Sequence, residues 1–60
     1  MKRDEKVFLL LDLAKQVSTD LPGGSDLVRR SIYLACGMYR NRTGKMPTRA
    51  VIDMALRIGF

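Results

Sequence analysis

Apolar residues recur at helical spacing along the first third of the chain. Val7, Leu10, Leu11, Ala14 and Val17 fall on one face of a helix spanning about residues 4–19. Asp4 and Glu5 lie in its first turn, where the helix dipole favours negative charge. Phe8, Leu9 and Leu13 widen the apolar arc well beyond that stripe. A helix apolar over most of its circumference needs cover on more than one side. The pattern therefore predicts that this helix meets a second protein molecule, either another copy of the chain or a different partner. The expected contacts are Val7, Phe8, Leu10, Leu11 and Ala14.

The periodicity breaks at "TDLPGGSD". Pro22 disfavours helix at Leu21, and Gly23–Gly24 lets the chain reverse. Ser25 or Asp26 then caps a second helix over about residues 26–42, which Gly44 terminates in a left-handed conformation. Its inward residues by spacing are Leu27, Val28, Ser31, Ile32, Leu34, Ala35, Met38 and Tyr39, with Cys36 on the boundary. Its outward residues are Arg29, Arg30, Tyr33, Gly37, Arg40 and Asn41. A mid-helix glycine costs about 1 kcal/mol relative to alanine, so Gly37 marks either a close approach by another backbone or a tolerated site.

A second break, "RTGKMPT", introduces a third helix over about residues 48–58, with Pro47 in its first turn or just ahead of a Thr48 cap. Val51, Met54, Ala55 and Ile58 are expected to face inward, with Ile52 beside them. Asp53 and Arg57 are spaced for an i,i+4 ion pair. Phe60 either folds back onto the core or stays exposed as a contact. The predicted fold is all-α, a three-helix miniature domain over residues 1–60 that dimerisation could complete. No repeat or heptad run appears.

Sixty residues allow one small domain whose core is marginal alone. The 47% hydrophobic content argues against a disordered chain, which would lack this much to bury. Charge is unevenly spread. Residues 1–26 carry four basic and five acidic side chains, whereas residues 27–60 carry seven basic ones against Asp53 alone. The overall charge of +5 thus comes from the second half, and such a field draws nucleic acid, anionic lipid or an acidic protein. Cys36 is the single cysteine, so no disulfide forms within the chain, and a reducing cytoplasmic location is the simplest reading. "VFLLL" stops at Asp12, too short for a signal sequence or a membrane span.

Catalysis is not expected. The chain has no histidine, its serines have no evident base, and no pair of carboxylates is spaced to converge. One cysteine without histidine cannot build a structural zinc site, so no metal or other cofactor is expected. "PGGS" precedes a helix but lacks the glycine spacing and lysine of a phosphate loop, and reads as a turn.

What remains is a basic face: Arg29, Arg30, Tyr33 and Arg40, continued by Arg42, Lys45 and Arg49. Arginines at this spacing can contact successive phosphates, which keeps direct DNA or RNA binding open. The same composition suits a protein-binding hot spot, and a helix with one buried face also needs a charged exterior for solubility. The connection between the second and third helices is longer than in a DNA-binding helix-turn-helix, and the opening strand of a ribbon-helix-helix protein is missing.

The run "SDLVRRSIYLACGMYRNRTGKMPTRAVIDMALRIGF", most of all Arg29–Arg30, Tyr33–Ala35, Met38–Tyr39, Arg42, Gly44–Lys45, Pro47, Arg49, Ile52–Asp53 and Leu56, resembles the AraC negative regulators (ANR family). These are small helical proteins of Gram-negative pathogens that bind AraC-type virulence activators and block their action. The resemblance covers residues 29–56 best, together with the leucine-rich first helix. It implies a negative regulator of transcription that binds and inhibits an activator protein, with the regulator itself a candidate dimer. The alternative is a regulator that binds DNA or RNA directly through the basic face.

Overall fold

A computed structural model describes all sixty residues. It contains three helices and no strand: α1 (Arg3–Ser18), α2 (Leu27–Thr43) and α3 (Arg49–Ile58). Each end lies within one residue of the position read from the sequence, and local chemistry explains why. The hydroxyls of Ser18 and Thr19 donate to the carbonyls of Lys15 and Gln16 at 2.7 and 2.8 Å, which satisfies groups that the end of α1 leaves unpaired. Gly44 closes α2 at φ 86°, a left-handed conformation costly for any residue with a Cβ, and its N–H donates to the Arg40 carbonyl at 2.8 Å. The Thr48 hydroxyl accepts from the Val51 N–H at 3.3 Å and so caps α3, with Pro47 buried just before it. Asp26 occupies the cap position of α2 but makes no capping bond there. Its carboxylate instead pairs with Arg30 at 3.7 Å.

The core draws on all three helices. Val7, Leu10, Leu11, Leu13 and Ala14 of α1 meet Ile32, Ala35, Cys36 and Tyr39 of α2, and Val51 and Ala55 of α3. Leu9, Val17, Val28, Ile52, Met54 and Leu56 close over its edges. α1 contacts both other helices, and its contact with α2 is the most extensive in the fold. The small residues Ala14, Ser31, Ala35 and Ala55, all fully buried, let the helices approach closely enough to cover a broad arc of α1.

That closeness overturns the interface expected on α1. Val7, Leu10, Leu11 and Ala14 are at most 4% exposed and belong to the chain's own core. Of the five expected contacts only Phe8, at 59%, faces solvent. Two helices proved enough to cover what the apolar arc suggested they could not. The inward face of α2 also differs from its spacing. Leu34 and Met38 point outward, while Cys36 is buried and its thiol donates to the Ile32 carbonyl at 3.3 Å. Ile58 and Phe60 are exposed at the end of α3, and Asp53 and Arg57 do not pair, because the single ion pair of the fold is Asp26–Arg30. No helix is long and apolar enough to cross a membrane.

Candidate partner-binding surface

α2 buries a strip formed by Ser31, Ile32, Ala35, Cys36 and Tyr39, and the 3.6-residue period turns the remaining half of the helix to solvent. Arg29, Tyr33 and Arg40 form one row on that half, at steps of four and seven residues. Leu34 and Met38, four residues apart, form a second row beside it. Tyr33 is 50% exposed and Leu34 55%. Gly37 lies between the rows, and a Cβ built there would meet nothing within 4 Å. No other part of the fold approaches it, so within this chain Gly37 is a tolerated site and a low point on the surface.

The arginines differ in how free they are. Arg30 is engaged inside the chain: besides Asp26, its guanidinium donates to the Pro22 carbonyl at 3.5 Å and so ties the first turn to α2. Arg29 and Arg40 have no such partner. A shallow depression of about 450 Å³ lies over Asp26, Arg29, Arg30, Tyr33 and Leu34, apolar in its floor and cationic at its rim. This arrangement can hold an apolar side chain of a partner while the rim attracts acidic groups.

Arg42, Lys45 and Arg49 are exposed but do not extend this row as the sequence suggested. Arg42 lies at the seam with α1, beside Leu13, Met38 and Asn41. Lys45 borders a separate cleft that includes Lys6 of α1 and Thr48 at the start of α3. The helical period carries Arg42 to the α1 side of α2, and the turn after Gly44 redirects the chain at Lys45, so the basic residues that line depressions divide among three neighbourhoods.

On α1, Phe8 stands one turn from Asp4, Glu5 and Asp12, and forms a small acidic-aromatic patch. The surface residues that sequence reasoning missed are Leu34 and Met38. Their spacing matched the core stripe, and nothing in sequence marks how narrow a strip the neighbouring helices cover. Burial without a charged partner raises the Cys36 thiol above its ordinary value, so it stays a neutral thiol inside the core. No three acidic, histidine or cysteine side chains converge on one point. The chain matches no protein-family model, no curated protein and no solved structure.

Proposed function

We propose that this protein is a small transcription-regulatory protein that acts by binding another protein through the outward half of α2. In keeping with its resemblance to the AraC negative regulators, the proposed target is an AraC-type activator, which it inhibits. The observation that carries the reading is the exposure of Tyr33, Leu34 and Met38 beside Arg29, Arg30 and Arg40 in a domain whose core is otherwise closed. Aromatic and arginine side chains dominate the energetics of protein interfaces, and methionine adapts to irregular apolar partners. The charge of +5 adds long-range steering toward an acidic partner surface. Leu34 and Met38 have no use against phosphates, which favours a protein over DNA or RNA as the ligand of this face.

The test is a reporter driven by an AraC-type activator, with the protein co-expressed, alongside affinity capture of the activator before and after nuclease treatment. Repression and nuclease-resistant capture are expected, and both should be lost in Leu34→Glu while far-ultraviolet circular dichroism stays unchanged. Capture that disappears with nuclease would reject the proposal. Binding to mixed duplex DNA that weakens steeply with salt, with a slope that Arg29→Ala or Arg40→Ala flattens, would then establish direct nucleic-acid binding.

A further inference from the structure

The start of α1, the end of α2 and the start of α3 enclose a cleft of about 480 Å³, within the size range of small-molecule sites. Three independent features of its lining favour an anion. The first is Tyr39. Its ring belongs to the core and the residue is 3% exposed, yet its hydroxyl bonds to no group of the chain, and Tyr39 borders the cleft. The one sealed hydroxyl without a partner in the fold is that of Ser31, so the Tyr39 hydroxyl keeps access to solvent, and a phenol held rigidly by its ring is a preorganised donor.

The second feature is charge. Lys6 and Lys45 border the cleft from opposite sides of the sequence, and neither is within ion-pair distance of a carboxylate. Lys45 extends from an anchored backbone. The Thr43 hydroxyl, within reach of the Tyr39 carbonyl at 2.9 Å and the Lys45 carbonyl at 3.0 Å, ties the turn to the end of α2.

The third is the N-terminus of α3, which meets the cleft at Thr48. Thr48 satisfies two of the first four amides, those of Val51 and Ile52, through its hydroxyl and its carbonyl. The amides of Arg49 and Ala50 have no partner in the chain. Unpaired amides at the positive end of a helix dipole favour a bound anion.

From these features we infer that the cleft binds a small phosphorylated ligand. Lys6, Lys45, the Tyr39 hydroxyl and the first amides of α3 would hold the phosphate. Two ammonium groups match its charge of about −1.5 to −2 near neutral pH. The cleft is larger than a phosphate needs, and Met46, 53% exposed, supplies an apolar wall for an organic group. This site lies apart from the outward half of α2 and does not depend on the function proposed for that face.

A titration of ¹⁵N-labelled protein with inorganic phosphate and with adenosine monophosphate, against sodium chloride of equal ionic strength, tests the inference. The amides of Lys45, Arg49 and Ala50 should shift saturably with both phosphates and not with chloride. Tighter binding of the nucleotide would identify a phosphate ester as the ligand class, and equal affinities would identify free phosphate. Tyr39→Phe keeps the ring and should weaken binding about tenfold, the effect of losing one hydrogen bond to a charged group. Lys45→Gln is an exposed change that leaves the core intact and should weaken it at least severalfold. Leu34→Glu should leave it unchanged. Shifts indistinguishable from those with chloride would overturn the site, as would binding indifferent to both Lys45→Gln and Tyr39→Phe. Binding of duplex DNA at this cleft without binding of the mononucleotide would equally overturn it.

Discussion

Replacing Leu10 with alanine should destabilise the protein strongly, whereas replacing Phe8 two positions earlier should leave its stability nearly unchanged. Leu10 is fully buried at the meeting of the three helices, and Phe8 is 59% exposed. Deleting a buried leucine side chain costs ~2–5 kcal/mol, because transfer energy is lost and a cavity remains. At ~0.05–0.15 kcal/mol per residue, a chain of sixty residues has a total stability of ~3–9 kcal/mol. Leu10→Ala therefore removes about a fifth of that total at the least, and all of it where the larger cost meets the lower stability. Phe8→Ala removes a side chain that was mostly in water, and a change of about 0.5 kcal/mol or less is expected. Urea titrations followed by far-ultraviolet circular dichroism measure both, with the midpoint moving and the slope unchanged if only stability alters. Leu11→Arg should behave like Leu10→Ala, with an even larger loss of helix. The reasoning fails if Leu10→Ala and Leu11→Arg retain the native midpoint, because the apolar stripe of α1 would then be an external surface.

Other consequences are as direct. The Ser31 hydroxyl is fully buried with no partner, so Ser31→Ala should stabilise by about 1 kcal/mol and raise Tm by about 4–8 °C in a thermal melt. Gly37→Ala meets no steric obstacle in mid-helix and should stabilise by about 1 kcal/mol, while Gly44→Ala, at φ 86°, should destabilise by a similar amount. Burial holds the Cys36 thiol above its ordinary value of 9.0, so iodoacetamide should modify it slowly at neutral pH and quickly in urea. The sign for stability follows: the unfolded thiol ionises first, so the contribution of Cys36 is intact below that ordinary value and is lost as the pH rises through the higher folded one. Urea midpoints of wild type and Cys36→Ala, compared at neutral pH and in mild alkali, should converge as the pH rises.

Helix existence and boundaries were legible in sequence because they depend on local chemistry. Gly44 and Thr48 act through their own backbone and hydroxyl, and no distant residue alters that outcome. Which residues face outward was less legible. Periodicity shows that Leu34 and Met38 share a stripe with Ser31 and Ala35, but the width of the covered strip is set by the helices that pack there. The same limit explains α1. Its broad apolar arc suggested an external partner, yet the small side chains at Ala14, Ala35 and Ala55 let α2 and α3 come close enough to bury all of the expected contacts except Phe8. The cleft holding Lys6, Tyr39 and Lys45 was not legible at all, since it joins positions far apart in the chain and Tyr39 reads as an ordinary core aromatic.

The position of α1 as the helix that touches both others also bears on how the chain reaches its fold. α1 and α2 are joined by a short turn and share the largest contact, so their pairing is local and should form on the microsecond-to-millisecond timescale of low-contact-order domains. α3 is the shortest helix and rests on this hairpin with less shared surface. Its amides should therefore exchange with solvent through partial openings that leave the α1–α2 hairpin intact. Lys45, Met46 and Thr48 move with that opening, so the same motion that releases α3 also dismantles the cleft at the junction of the three helices.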